Sequence, residues 1–382
     1  MVAFTNSNIY LDGKKVVKAN LSVVNGKFKM VKSPNAIKLD SKYIIVPGFI
    51  EEHMHGANGS DVMDGTIESL HNIASSITRD GVTSFLPTTM TESKDSIIRA
   101  LINVANKKQE KDEAKILGVH LEGPFIASEF KGAQNPKHIL KPSVKDMRDF
   151  IKASNNKVRL VTVAIEEAEP EFLRYLKKNH ITISAGHSNA KEADFSKYLK
   201  LGLINSTTHT YNAMSRLHHR DLGLTGMAML HDEIYGELIL DLHHTSANAA
   251  RLMLKCKGKN HLIVITDSCE ARYKKKGTFK IGATPIMVVD GVAKLMDGVT
   301  FAASVLELSK GLKNAKAIFN DLSFEEIIDL VTKNVANNLH LDKVGVIKNG
   351  NDADFVIVDK NFNVYQTYVN GKLVYSKKNF KL

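Results

Sequence analysis

Eight apolar, β-branched runs of strand length punctuate the middle of the chain, at residues 43–49, 82–87, 115–121, 158–165, 181–185, 203–208, 235–240 and 262–265. Each is nearly continuous in hydrophobicity, the pattern of parallel strands covered on both faces. The segments between them carry helical spacing: Ile67, Leu70, Ile73, Ala74 and Ile77 on one face, Phe172, Leu173 and Leu176 on another, and Ala250, Leu252, Met253 and Leu254 in a third. Gly81, Gly202 and Gly258 stand where such helices would stop. Strands alternating with helices over about 290 residues predict an α/β fold, a (β/α)8 TIM-like barrel. The alternative is a doubly wound open sheet, but no glycine-rich phosphate fingerprint follows any of the strands.

The two ends follow a different pattern. Short alternating strands surround Asp12-Gly13 and Asn25-Gly26 near the start, and Asn349-Gly350 and Asn370-Gly371 near the finish. These dipeptides are hairpin signals, and neither end alone is large enough to hold a core. They are therefore expected to pair into one small β-sandwich domain, residues 1–46 with 343–382, around a barrel at 47–342.

Composition narrows the classes. With 43% apolar and 24% charged residues among 382, the chain can bury a large core and is not disordered. No apolar run approaches the about 20 residues of a membrane helix. The opening residues lack a basic stretch followed by an apolar one, so no export signal is expected. Two cysteines, Cys256 and Cys269, build no disulfide framework and suit a reducing cytoplasm. The net charge is 52 − 41 = +11, yet the lysines are scattered, tryptophan is absent, and no aromatics interleave the basic runs. Solvated faces, or attraction for an anionic small molecule, explain that charge better than nucleic acid does.

The chemistry collects where the strands end. The runs lead to His53-Met54-His55, to Glu122, to His187, to His209, to His243-His244 and to Asp267. In a barrel, those ends share one face. Each residue alone has a plain structural reading, as a satisfied core histidine or a paired acid. Together they are the ligands of a divalent metal, with imidazole and carboxylate donors suiting zinc, iron or manganese. His53 and His55 stand at i and i+2, which point the same way along a strand. Asp267 follows an intensely apolar run, where a carboxylate is costly unless it serves a metal or a proton; it is the candidate base, with a helix cap as the plainer reading. Cys269 lacks a free activating base and is not favoured as a nucleophile. Arg220, in a loop-like stretch, is either surface charge or a phosphate reader. His218 and His219 are expected to be solvated.

These motifs resemble a known family. Pro47-Gly48-Phe49 leading to His53-x-His55 resembles the opening of the amidohydrolase superfamily. His120-Leu-Glu-Gly-Pro124, Gly186-His-Ser-Asn-Ala190, Thr208-His-Thr-Tyr-Asn-Ala-Met214 and Thr266-Asp267 look like its N-acetylglucosamine-6-phosphate deacetylase branch, over nearly the whole chain. The resemblance implies that Glu122, His187 and His209 hold a principal metal. It places a second ion on His53 and His55, with Glu122 between the two, so one or two ions per subunit. It makes Asp267 the proton carrier. It assigns Asn212, Ala213, Phe301, Ala302 and Ala303 to the sugar, and Arg220 and His244 to the phosphate, with His243 a rival. It also implies a homodimer in which a partner completes the phosphate site. Ala133 and Gln134 fall where the branch commonly has a histidine, and Ala303 where it commonly has glycine. The implied reaction is hydrolysis of N-acetyl-D-glucosamine 6-phosphate to D-glucosamine 6-phosphate and acetate. Two readings stand beside it: an amidohydrolase of cyclic amides or of related acetylated amino sugars, and a basic nucleic-acid binder with a vestigial barrel.

Overall fold

The computed structural model describes residues 2–380. Nine strands form two curled parallel sheets. One sheet holds Phe49–Met54, Val82–Pro87 and Lys115–Ile116; the other runs Val119–Glu122, Val158–Val163, Thr182–Ala185, Ser206–Thr207, Tyr235–Ile239 and Leu262–Ile265 in that order. Backbone bonds join the sheets at both edges. The Thr89 amide donates to His120 carbonyl at 3.0 Å on one side; Asp267 amide donates to His53 carbonyl at 2.9 Å, and His55 amide to Ser268 carbonyl at 2.8 Å, on the other. Ile50, Leu86, Leu160, Ile239, Ile263 and Ile265 pack with Val335 and Leu339 in one buried cluster. Fully burying a side chain of this size contributes about 1.5–3 kcal/mol.

Helices Ile67–Ser76, Pro170–Lys178 and Ala247–Lys257 form over the expected segments, and Gly81 and Gly258 cap their helices with positive φ. Their buried faces are narrower than the spacing suggests, because Ile67 and Leu252 stay exposed. No described helix is long and apolar enough to cross a membrane.

The chain ends combine in one seven-stranded sheet, ordered Lys372–Ser376, Val364–Val369, Phe355–Asp359, Tyr43–Pro47, Ala3–Leu11, Lys15–Val24 and Lys27–Lys29. Asp12-Gly13, Asn25-Gly26 and Asn370-Gly371 close its hairpins with both residues of each pair at positive φ; the last two are two-residue turns, which demand it, and Lys14 makes the first a three-residue turn. Asn349-Gly350 does not; it closes no hairpin between strands.

The first expected barrel strand needs correction. Residues 43–47 belong to the terminal sheet, and Phe49–Met54 is the strand that pairs with Val82–Pro87. Both faces of Tyr43–Pro47 are covered: Ile44 and Val46 pack with Val82, Ile318 and Phe362, while Ile45 packs with Phe4, Phe28 and Phe355. A strand covered twice reads as continuously apolar. Phe49–Met54 is hidden in the hydrophobicity pattern because Glu51, Glu52 and His53 occupy its middle. A second feature was missed, although Asp290-Gly291, the same dipeptide as Asp12-Gly13, closes its second hairpin with both residues at positive φ. An antiparallel meander, Gly277–Ile281, Thr284–Val289 and Val292–Leu295, lies between the last parallel strand and helix Leu308–Ile318.

Arg272 ties the first strand to its neighbours from a fully buried position. It donates to both Asp80 and Ser268 Oγ, and its guanidinium lies 3.9 Å from Glu51. Arg272→Met is expected to cost about 3–5 kcal/mol, since the Asp80 and Glu51 carboxylates would be left buried without their cation. Urea unfolding that gives a stability within about 1 kcal/mol of the parent's would refute this pairing's importance.

Candidate active site

Turns at the strand ends set the site. Thr182–Ala185 leads through Gly186 to His187, and a Cβ at Gly186 would meet Thr208 Cβ at 2.5 Å, so only glycine lets these two strand ends approach. His187, His209 and Asp267 then adopt φ of 47°, 30° and 48°, and Ala213 and Ala303 lie at 47° and 54°. Left-handed backbone costs a non-glycine residue about 1–2 kcal/mol. Five such residues around one hollow mark a site whose surroundings over-determine it.

The first donor group is Glu122, His187 and His209. Glu122 Oε1 is 3.1 Å from His209 Nε2 and 3.3 Å from His187 Nε2, and the two imidazole nitrogens are 3.1 Å apart. Tetrahedral donors about 2.1 Å from one ion stand about 3.4 Å from each other, so the spacing suits a shared cation. His187 Nδ1 is 2.7 Å from Phe130 carbonyl and donates to it, leaving the Nε2 lone pair aimed at the cluster.

The second group is His53, His55 and Asp267. His55 Nε2 lies 3.1 Å from Asp267 Oδ1 and 3.2 Å from Glu122 Oε2, while His53 Nε2 lies 3.4 Å from Glu122 Oε1 and 3.6 Å from Asp267 Oδ1. Glu122 therefore stands between the groups, with Oε1 facing His187, His209 and His53 and Oε2 facing His55. The buried atoms His53 Nε2, His55 Nδ1 and His209 Nδ1 have no hydrogen-bond partner among the described residues.

The electrostatics are those of a cation site. Burial opposes the charge on Glu122, but His53 and bonds from His187 and His209 hold its pKa well below the usual range. Burial likewise opposes protonation of His55, yet Asp267 and Glu122 outweigh it and lift its pKa to about 9. The carboxylates thus hold a proton on imidazole where a metal ion would otherwise compensate them. The donor set fits a divalent ion.

A cavity of about 180 Å³ opens over both groups. His55, Glu122, His187, His209 and Asp267 line it; so do Ala133, Gln134, Asn212, Ala213, His244, Phe301 and Ala303. Three of the expected residues are not on that lining. His53 is fully buried. Ala302, between Phe301 and Ala303, is fully buried in the main hydrophobic cluster. Arg220 is exposed on the loop with His218 and His219. The two neighbouring histidines separate: His244 lines the cavity with Nδ1 2.7 Å from Asp241 Oδ2, and His243 is exposed.

Gln134 does more than line the wall. Its Nε2 donates to Glu122 Oε2 at 2.8 Å, and its Oε1 accepts from Thr91 amide at 2.7 Å. Cys269 is buried, and burial pushes its thiol up to about 12, so it is no nucleophile near neutral pH. Sequence reasoning missed Glu237, Met90 and the meander's Ile281. Glu237 could have been found, since a lone acid inside the apolar run Tyr235–Ile239 is the same signal that marked Glu122.

Comparison with known proteins agrees with this arrangement. Residues 44–374 match the amidohydrolase family. The chain is 36% identical to N-acetylglucosamine-6-phosphate deacetylase of Bacillus subtilis, over 90% of this chain and 87% of that protein. It is 30% identical to N-acetylgalactosamine-6-phosphate deacetylase of Escherichia coli O157:H7, over 86% and 87% of the two chains. The crystal structure of N-acetylglucosamine-6-phosphate deacetylase from Thermotoga maritima superposes with a TM-score of 0.89 at 33% identity, covering 98% of this chain and 100% of the other. This chain belongs to the amidohydrolase family.

Proposed function

We propose that this chain is a metal-dependent hydrolase that removes the acetyl group from N-acetyl-D-glucosamine 6-phosphate, giving D-glucosamine 6-phosphate and acetate. The observation that carries this is the position of Asp267, on the cavity wall and 3.1 Å from His55, facing the Glu122, His187 and His209 donors. A divalent ion (zinc, iron or manganese) on Glu122, His187 and His209, and a second on His53 and His55, would supply carbonyl polarisation and a water of lowered pKa. Burial raises the Asp267 pKa, but His53 and His55 more than offset it and hold the carboxyl below the ordinary range. Asp267 is therefore ionised and able to accept the proton of an attacking water. The water oxygen bonds to the acetyl carbon. Asp267 then returns the proton to the sugar nitrogen as the carbon–nitrogen bond breaks, because a bare amide anion leaves poorly.

Asn212, Ala213, Ala133, Gln134, Phe301 and Ala303 are proposed to meet the sugar. His244 and the exposed Arg220 are proposed to meet its phosphate, whose remote binding orients the amide. The same reading takes the two parallel sheets as one (β/α)8 barrel, residues 47–342, with Lys115–Ile116 and Val119–Glu122 as two parts of its third strand, and residues 1–46 and 343–382 as the small β-domain. It also takes the enzyme as a cytoplasmic homodimer.

Acetate release tests this directly. The expected result is turnover of the phosphorylated sugar, lost with a chelator and at least about 10-fold weaker without the phosphate, the scale of one charge-assisted contact. Equal cleavage of the unphosphorylated sugar would overturn the assignment in favour of another amide. Arg220→Ala is expected to raise KM about 10- to 100-fold with a smaller change in kcat. An unchanged KM would return Arg220 to simple surface charge. The second reading, the galactosamine epimer, is favoured by the 30% identity to the E. coli protein of that name; assaying both epimers ranks them.

A further inference from the structure

The fully buried carboxylate of Glu237 lies beneath the cavity and touches two of the groups described above. Its Oε2 is 3.0 Å from His53 Nδ1 and accepts the backbone N–H of His209 at 3.0 Å. One oxygen atom thus contacts a histidine of each donor group. Glu237 is not among the residues lining the cavity, so it meets no substrate.

We propose that Glu237 is a positioning residue that locks His53 in its Nδ1–H form and holds the His209 turn, so that both Nε2 atoms face the metal centre. The chemistry is that of an ionised acceptor. A carboxylate facing Nδ1 selects the tautomer in which Nδ1 carries the proton. The lone pair then falls on His53 Nε2, an atom with no hydrogen-bond partner among the described residues, lying 3.4 Å from Glu122 and 3.6 Å from Asp267. A nitrogen lone pair between two carboxylate oxygens is repulsive unless a cation joins them. The second bond acts on backbone. His209 takes a φ of 30°, outside the comfortable range for a side chain, and its amide is pinned by the same Oε2. Glutamate at this place is costly, being buried with Oε1 unpartnered among the described residues; the two bonds from Oε2 give that cost a purpose.

This inference rests on the metal-centre reading and is tested by zinc affinity of the full chain, measured by competition with a chromophoric chelator. Glu237→Met keeps the length and removes both acceptors; it is expected to weaken zinc about 10- to 100-fold, the usual loss when a histidine ligand's carboxylate partner goes. Glu237→Gln keeps an acceptor oxygen without the charge, and an intermediate loss of about 3- to 10-fold is expected. In a His53→Asn background the Glu237→Met loss should shrink by at least about 3-fold, because one of its two contacts has already gone. Unchanged zinc affinity in Glu237→Met overturns the proposal, as does an undiminished loss in the His53→Asn background, which would assign Glu237 to the fold alone. If Glu237→Met does not fold, Glu237→Gln carries the test, and parental affinity in it overturns the proposal. A parent chain that binds no zinc would instead overturn the metal-centre reading beneath it.

Discussion

Asp267→Asn is expected to fold normally and to lose about 10²- to 10⁴-fold in kcat, the range that a positioned proton carrier contributes. Asparagine keeps an oxygen for His55 Nε2, now 3.1 Å from Asp267 Oδ1, and keeps the backbone bonds, in which the 267 amide donates to His53 carbonyl and the 267 carbonyl accepts from Ser304 amide. What it cannot do is take a proton from water and return it to the departing nitrogen. Zinc on the Glu122, His187 and His209 donors should persist, because Asp267 belongs to the other group. Single-turnover acetate release with a parallel zinc determination separates the two effects. A variant with full zinc and a parental rate would remove Asp267 from the chemistry.

Glu122→Gln is expected to be more severe, because among the described residues Glu122 is the one carboxylate within reach of all four of these histidines. Its oxygens lie 3.1–3.4 Å from His209, His55, His187 and His53. An amide keeps the size and one oxygen but loses the charge that both groups share, and its nitrogen turns a donor toward a metal position. Zinc affinity should fall by more than the about 10- to 100-fold that an outer partner costs, and acetate release should fall with it. Gln134 sharpens the expectation: its Nε2 already donates to Oε2, so an amide at 122 would keep its oxygen there to accept that bond and turn its NH2 toward His187 and His209. Parental zinc content in Glu122→Gln would mean that the two donor groups do not depend on this residue.

Much of the architecture was legible in the chain because parallel strands and primed turns have local signatures. The runs at 82–87, 158–165, 235–240 and 262–265 each cover a parallel strand, and Asp12-Gly13, Asn25-Gly26 and Asn370-Gly371 each close a hairpin. The convergence of Glu122, His187, His209, His53, His55 and Asp267 was legible for the same reason: parallel strands bring their carboxyl ends to one side of the sheet, so positions far apart in sequence become neighbours in space. Other features were hidden by physics that is not local. Phe49–Met54 carries its ionisable residues into the interior, where Glu51 meets Arg272 and Glu52 accepts from Asn338 Nδ2 at 3.1–3.2 Å. Its hydrophobicity therefore falls where its burial is complete. The meander supplies Ile281 to the cavity wall, but its alternating pattern gives no hint of where it docks. Gln134 looked only like a departure from a family pattern; its bond to Glu122 required the coordinates. Ala302 illustrates the limit of reading a stretch as a unit, since Phe301 and Ala303 line the cavity while the residue between them lies in the core.

The central claim is that donors far apart in sequence share one cation. Crystals of the full chain grown with zinc, with anomalous diffraction recorded at the zinc edge, test it most directly. The account predicts a peak bounded by Glu122 Oε1, His187 Nε2 and His209 Nε2, at about 2.0–2.2 Å from each. Zinc ordered elsewhere on the molecule, with those three atoms bonded only to one another, would contradict it.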